Sequence, residues 1–233
     1  MAIGKTVFEV KGKKCVLYAA QSENRPLVVL NNFAGDGETV LESVRQITSA
    51  DFNFLNISGL NWGCDMTPWP CPPLFKGDDT VYSGGADDYL QLLMTEIVPG
   101  ATDRVAGSPK DICLAGYSLG GLFALYAMYK CDIFDCVASV SGSLWYPELL
   151  SFVTNNGVKK TPAKIYISLG DAEARTKNQI LKTVRDNTEE IVDILRAGGF
   201  NVTLELNPGN HFRDPEKRTA RGIADLLESL SCF

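Results

Sequence analysis

The spacing of apolar residues divides this chain into extended runs and helical stretches. Short β-rich runs, typical of strands, occur at Thr6–Val10, Lys14–Ala19, Leu27–Asn31, Phe54–Ile57, Ile112–Gly116, Cys136–Val140, Ile165–Leu169 and Val202–Leu206. Helical periodicity starts after the third run and predicts helices at Thr39–Ile47, Ala86–Ile97, Leu119–Tyr129, Pro147–Thr154, Asn178–Ala197 and Pro215–Leu230. Strands followed by strand–helix alternation predict an α/β fold, in which antiparallel strands lead into a doubly wound, mostly parallel sheet of about eight strands.

The last two predicted helices carry residues typical of helix ends. Gly198 and Gly199 follow the helix that starts near Asn178, and glycine is the preferred residue just beyond a helix C-terminus. Asp214 precedes Pro215, an arrangement that predicts an N-cap followed by proline in the first helical position.

One long segment, from Gly59 to Gly85, has no regular periodicity. Segments of this length within a compact domain are usually functional or disordered, and the aromatic residues here, Phe75 and Tyr82 among them, argue against disorder. The segment follows the fourth strand at the edge where open α/β sheets bind ligands. Trp62 and Trp69 are therefore candidates for one wall of a substrate pocket, and the alternative is a self-packed surface loop.

Composition narrows the classes of partner. A chain of 233 residues with 45% apolar residues can bury one substantial core, so we expect a single domain over residues 1–233. The formal charge of −6, without a clustered basic patch, argues against nucleic acid. The longest apolar stretch, Cys113–Tyr129, is too short and too interrupted to span a bilayer. A homo-oligomer stays compatible with the sequence.

Cysteine and histidine usage bears on compartment and cofactors. The seven cysteines form no C-x-x-C pair, and an odd number does not suit a disulfide framework. Met1–Thr6 leads directly into a predicted strand without a leader-like segment, so we expect a reduced, cytoplasmic protein. With one histidine and no ligand spacing, we expect no metal and no other cofactor.

The strongest chemical signal is Gly116–Gly121, which reads Gly-Tyr-Ser-Leu-Gly-Gly. It places Ser118 between glycines, directly after a predicted buried strand and before a predicted buried helix. A G-x-S-x-G motif in that context is typical of the nucleophile elbow of α/β-hydrolases, in which a sharp turn exposes the serine hydroxyl. The alternative is a glycine-rich turn that only packs a helix against a strand. The context favours Ser118 as a nucleophile.

A serine hydroxyl needs a base, and the single histidine has a suitable position. His211 follows the last predicted strand and precedes the last helix, in the chain order serine, acid, histidine. Asp171 and Glu173 both follow the strand Ile165–Leu169, between the two residues in sequence, and either is a candidate for the acid that orients the imidazole. Asp214 is also near His211, but its predicted N-cap role accounts for it.

Ester cleavage further requires donors for the developing oxyanion. The backbone N–H of Leu119, directly after the nucleophile, is one candidate. The loop after the third strand supplies the other, and Phe33 is the best candidate within it. The alternative for that loop is a polar, glycine-rich turn without a catalytic part.

Four segments together resemble the putative esterase family of α/β-hydrolases, which includes enterochelin esterases, S-formylglutathione hydrolase, feruloyl esterases and mycolyltransferases. They are Gly116–Gly121, Asn61-Trp62 with Pro68-Trp69, Ser141–Tyr146, and Asn207–Phe212. The likeness covers nearly the whole chain and is greatest to small, single-domain bacterial members with a siderophore-esterase type of core.

The resemblance implies serine carboxylesterase chemistry at Ser118 and His211. It favours Glu173 over Asp171, because a glutamate often stands at this point in the siderophore-esterase branch, although some members use a Ser–His pair. It also makes Trp145 and Tyr146 candidates for lining the acyl or alcohol pocket, and the alternative is that both are ordinary core aromatics.

The sequence thus predicts a serine carboxylesterase that hydrolyses a small-molecule ester through an acyl-enzyme. An acyltransferase or a siderophore trilactone esterase would use the same residues. A non-catalytic binding module is the alternative from another class, and the combination of Ser118, His211 and the glycine pattern argues against it.

Overall fold

A computed structural model describes residues 4–74 and 80–230, so Phe75 and Cys232 lie outside the described residues. Within those ranges the strands are β1 Lys5–Val10, β2 Lys13–Tyr18, β3 Leu27–Asn31, β4 Asn53–Ser58, β5 Pro70–Cys71, β6 Tyr82–Ser83, β7 Ile112–Tyr117, β8 Cys136–Val140, β9 Lys164–Gly170 and β10 Val202–Asn207. The helices are α1 Glu38–Ile47, α2 Trp62–Asp65, α3 Ala86–Leu92, α4 Val98–Thr102, α5 Leu119–Lys130, α6 Leu149–Asn155, α7 Val184–Ala197 and α8 Pro215–Leu230.

The main sheet confirms the predicted α/β architecture. Among the described residues it has eight strands in the order β1-β2-β4-β3-β7-β8-β9-β10. β2 pairs antiparallel with β1 and β4, and the remaining pairs are parallel. One face packs against α1 and α8, and the other face carries the larger core with α3, α5 and α7. The loops after β3, β7, β9 and β10 therefore meet at one edge, because parallel strands end there.

Most helix boundaries agree with the predictions, and the exceptions have local causes. The helix predicted from Asn178 begins later, because the Asn178 side chain accepts hydrogen bonds from the N–H groups of Ile180 and Leu181 and holds a turn instead. The helix predicted over Ala86–Ile97 continues through a π-helical turn into α4, where Pro99 falls in a first turn that tolerates it. The helix predicted from Pro147 starts at Leu149, since Glu148 has a φ of +66°.

The C-terminus of α7 confirms the predicted glycine cap. Gly199 adopts a φ of +83°, which glycine reaches without a steric penalty. The Phe200 N–H donates to the Leu195 carbonyl and the Gly199 N–H to the Arg196 carbonyl, which is the Schellman arrangement. No helix within the described ranges is long and apolar enough to cross a bilayer.

The irregular segment after β4 is partly ordered into short elements. It contains α2 and the two-stranded β5–β6 pair, where Pro70 and Cys71 pair with Ser83 and Tyr82. The Trp69 indole donates to the Pro147 carbonyl at 2.9 Å, and the Tyr146 hydroxyl donates to the Trp69 carbonyl at 2.6 Å. These contacts fasten the segment to the body of the domain.

Candidate active site

Ser118 lies in a sharp turn between β7 and α5, with a φ of +59° and a ψ of −123°. A side chain on Gly116 would collide with the backbone of Gly120, so glycine at that position permits the turn. The Ser118 N–H donates to the Val140 carbonyl at 3.1 Å. The Ser118 carbonyl accepts from the N–H groups of Gly121 and Ser143, so hydrogen bonds on both sides of Ser118 hold its unusual backbone conformation.

The loops at the carboxyl edge bring Ser118, His211 and Glu173 into one hydrogen-bonded line. The Ser118 Oγ lies 3.0 Å from the His211 Nε2. The Glu173 Oε2 lies 2.7 Å from the His211 Nδ1. The His211 side chain is 29% exposed and that of Glu173 is 4% exposed. An exposed base and a buried acid suit a site where the imidazole meets a ligand from one side.

The second oxygen of Glu173 is fully engaged inside the protein. The Gly170 N–H donates to the Glu173 Oε1 at 2.6 Å, and the Arg218 guanidinium donates to the same oxygen at 3.1 Å. Burial favours a raised pKa for this carboxyl, but the hydrogen bond and charge of His211 and the bond from Gly170 outweigh burial, so the pKa of Glu173 is lowered. The carboxylate form is therefore the stable one.

Arg218 is a buried residue of this site that the sequence reading missed. Its guanidinium donates to the Ser141 Oγ at 3.1 Å and to the Pro208 carbonyl at 3.0 Å, besides its bond to Glu173. Its side chain is 3% exposed. In the sequence, Arg218 stands beside the apolar stripe of α8, where an arginine side chain is usually solvated. The sequence pattern therefore indicates its buried position only weakly.

The His211 backbone is held as well. The hydroxyl of Tyr117, the residue directly before the nucleophile, donates to the His211 carbonyl at 2.6 Å.

Asp171 does not contact the imidazole. Its Oδ1 accepts from the Gly209 N–H at 2.8 Å and so stabilises the loop before His211. Of the two carboxylates after β9, the structure therefore brings Glu173 to the imidazole and leaves Asp171 on the loop backbone.

Of the two predicted oxyanion donors, Leu119 follows Ser118 in sequence, and Phe33 lines the same cavity as Ser118. Leu119 is the first residue of α5, and among the described residues no protein acceptor is seen for its N–H or for that of Phe33. The loop carrying Phe33 is shaped by Asn56, whose Oδ1 accepts from the Asn32 amide and whose Nδ2 donates to the Gly35 carbonyl. Free N–H groups at a helix start suit an anion.

A cavity of about 540 Å³ opens beside Ser118 and His211. Trp62 lines it, as predicted from the sequence, together with Phe33 and Phe212. The other lining residues come from the ends of β3 and β7, from the loop after β3 and from the N-terminal parts of α1 and α8.

The predictions for three other aromatic residues need correction. Trp69, Trp145 and Tyr146 do not line this cavity. They pack with one another and with Tyr82 in the core, at centroid distances of 5.6 to 6.4 Å. Apolar contacts between rings, and the hydrogen bonds of Trp69 and Tyr146 to backbone carbonyls, explain their positions.

The parallel sheet, the strand–serine–helix turn and the histidine loop define the class of α/β-hydrolase serine enzymes. The family model described as putative esterase matches residues 65–211. The chain belongs to this family of esterases.

Comparison with known proteins agrees with this class. The uncharacterized protein YbbA of Bacillus subtilis is 25% identical over 194 residues, which cover 78% of this chain and 76% of that protein. The IroE-like serine hydrolase of Shewanella oneidensis shares the fold with a TM-score of 0.77 at 19% identity, over 97% of this chain and 80% of that one. The siderophore hydrolase EstB of Aspergillus nidulans gives a TM-score of 0.73 at 19% identity, over 96% and 93%.

Proposed function

We propose that the protein is a serine carboxylesterase in which Ser118 is the nucleophile, His211 the general base and Glu173 the acid. The observation that carries the proposal is the unbroken chain of hydrogen bonds from the Ser118 Oγ through the imidazole to the buried carboxylate. Neither Asp171 nor Asp214 has such a contact with the imidazole among the described hydrogen bonds.

The reaction proceeds in two halves. The Ser118 Oγ attacks the ester carbonyl carbon while its proton passes to the His211 Nε2. Collapse of the tetrahedral intermediate breaks the bond to the alcohol oxygen, which leaves with the proton from His211. Water then attacks the acyl-enzyme, gives a proton to the imidazole and releases the acid, while Ser118 recovers its proton. Glu173 holds the histidine tautomer with its proton on Nδ1 and stabilises the imidazolium.

The N–H groups of Leu119 and Phe33 stabilise the negative charge that develops on the carbonyl oxygen. Leu119 contributes through its position at the start of α5, where backbone N–H groups have no helical partner. Each such donor accounts for about 10²–10³-fold of rate in serine hydrolases. Trp62 contributes apolar surface to the cavity in which the substrate lies.

The substrate is a small-molecule ester. Two narrower possibilities are hydrolysis of a siderophore ester and transfer of the acyl group to an alcohol. The IroE-like and EstB structures are named as a serine hydrolase and a siderophore hydrolase, which favours a siderophore ester as the second candidate. Transfer of the acyl group to an alcohol other than water would use the same residues, and product analysis with added alcohol separates it from hydrolysis. We infer a cytoplasmic location, since Cys15, Cys64, Cys113, Cys131 and Cys136 form no disulfide bond.

Hydrolysis of p-nitrophenyl butyrate by single and double variants tests the proposal. We expect Ser118→Ala and His211→Ala each to lower kcat by about 10⁴-fold or more, and the double variant to be no slower than either, because residues acting as a unit are not additive. A double variant slowed by the product of the two single effects would contradict the proposal. Circular dichroism of each variant checks that the fold is retained.

A further inference from the structure

The rim of the cavity beside Ser118 exposes more aromatic surface than a protein surface usually does. The side chain of Phe33 is 70% exposed and that of Phe212 is 84% exposed. Phe33 meets Trp62 edge to face at 5.5 Å, so the two rings form one wall. Phe212 lies next to His211 on the opposite loop. Exposed apolar surface at the mouth of a cavity indicates a ligand with an apolar part.

The charged groups around the same cavity are all acidic. Asp36, Glu38 and Glu216 line it, and no lysine or arginine is among its described lining residues. Lys5, from outside the cavity, pairs with Asp36 at 2.7 Å and with Glu38 at 3.3 Å. The hydrogen bonds from Lys5 and from the Glu38 N–H lower the pKa of Asp36, so that carboxyl is ionised.

Glu216 carries a charge that no ion pair offsets within the described residues. It lies exposed in the first turn of α8, and no cation in the described part of the chain pairs with it. Three carboxylates against one shared lysine leave the cavity with an excess of negative charge. Negative charge beside aromatic faces attracts cations, both through the field of the carboxylates and through the rings.

We propose that this cavity selects esters by charge: it favours a substrate whose apolar part ends in a cation, such as a quaternary ammonium, over a neutral isostere, and disfavours a matched anion. The inference rests on the proposed function, since it assigns the cavity to the substrate of Ser118. Glu216 is the specificity-determining residue in this account, because its charge is the one without a partner.

The specificity constants of three p-nitrophenyl esters of matched length test the proposal. Their acyl groups are 4-(trimethylammonio)butanoyl, 5,5-dimethylhexanoyl and 4-carboxybutanoyl. A parallel series varies the alcohol instead, with choline, 3,3-dimethylbutyl and 2-sulfoethyl butyrates. In at least one series we expect kcat/KM to be highest for the cationic ester, lower for the neutral ester and lowest for the anionic ester. A single carboxylate about 7 Å away in a watery cavity contributes roughly sevenfold to the cation-to-anion ratio at low salt.

Variants locate the source of the preference. Glu216→Gln should lower the cation-to-anion ratio by roughly that sevenfold, and added salt should lower it in the unaltered protein. Asp193→Asn, which removes an exposed carboxylate from α7, is the matched control and should leave the ratio unchanged. Equal constants across both series, or a preference for the anion, would overturn the proposal.

Failure of the charge proposal and failure of the proposed function are distinguishable. A fluorophosphonate that labels Ser118 in a protein with no charge preference would refute only the charge selection. Absence of labelling at Ser118 would refute the assignment of the nucleophile, whatever the ratio of the specificity constants.

Discussion

Replacing Arg218 by methionine perturbs the site at its least exposed point. Arg218→Met keeps an unbranched apolar stem but removes the donors to Glu173, Ser141 and the Pro208 carbonyl. The Glu173 carboxylate is then left 4% exposed with no cation on its Oε1. Removing one partner of a buried ion pair typically costs about 3–5 kcal/mol of unfolding free energy. We expect a loss in that range in urea denaturation at neutral pH.

The pH dependence of this loss has a defined sign. The folded-state pKa of Glu173 is lowered, so its carboxylate contributes stability above the ordinary pKa, and that contribution is lost as the pH falls through the folded value. Without Arg218 the buried charge is disfavoured, and the pKa of Glu173 rises. Protonation then relieves the unpaired charge, so the stability difference between Arg218→Met and the unaltered protein should shrink as the pH falls.

Activity provides a readout that a purely structural role would not move. With the guanidinium gone, the pKa of Glu173 rises, and a protonated Glu173 no longer stabilises the imidazolium that forms during the reaction. The acid limb of the kcat/KM profile should therefore move to higher pH. We also expect kcat to fall about 10²-fold, the typical result of displacing a catalytic group by about 1 Å. Arg218→Lys should recover part of both effects, because it restores the charge without the planar fork.

Arg221 on the same helix supplies the control. It is 59% exposed and pairs with Glu205 at 2.7 Å, and exposed pairs contribute about 0–1 kcal/mol. Arg221→Met should leave both activity and the pH profile unchanged. Hydrolysis of p-nitrophenyl butyrate by Arg218→Met within twofold of the unaltered protein, with the same acid limb of the pH profile, would refute a positioning role for Arg218.

Two further predictions concern the acid and the turn. Glu173→Gln should lower kcat by about 10³–10⁴-fold, because the amide favours the wrong histidine tautomer, whereas Asp171→Asn should change kcat by only a few-fold. Steady-state kinetics of both variants tests this, and the reverse ranking of the two effects would assign the acid to Asp171. Gly116→Ala should lower the free energy of unfolding in urea by more than about 2 kcal/mol, since the added Cβ would collide with the Gly120 backbone. Gly157→Ala, where a Cβ would meet open space, should change it by less than about 1 kcal/mol, and equal effects of the two substitutions would contradict the steric explanation.

The sequence predicted those parts of the fold that depend on local pattern. The central strands β3, β7, β8 and β9 match continuous apolar runs, because central strands of a parallel sheet are buried on both faces. The edge strands β1 and β10 instead alternate apolar and polar residues. The start of α7 was missed, since the chain after Asn178 forms a turn closed by that side chain and then a 3₁₀ turn over Leu181–Thr183 before α7 begins. The single-domain assignment of residues 1–233 stays a prediction.

The site was predictable where a motif fixes position and not where packing decides. Ser118 and His211 follow from a turn motif and chain order. The choice between Glu173 and Asp171 depends on how one loop folds, which spacing alone does not determine. Arg218 becomes part of the site only through the packing of α8. Trp145 and Tyr146 are candidates for either the pocket or the core on sequence alone, because core and pocket aromatics look alike in sequence.

The location of the reactive serine tests the central claim most directly. The protein is treated with a fluorophosphonate, digested, and analysed by mass spectrometry, with Ser118→Ala treated in parallel. We predict a single adduct on the peptide that contains Ser118, and loss of ester hydrolysis as that adduct forms. The Ser118→Ala variant should carry no adduct. An adduct on a different serine, or ester hydrolysis that survives full modification of Ser118, would contradict it.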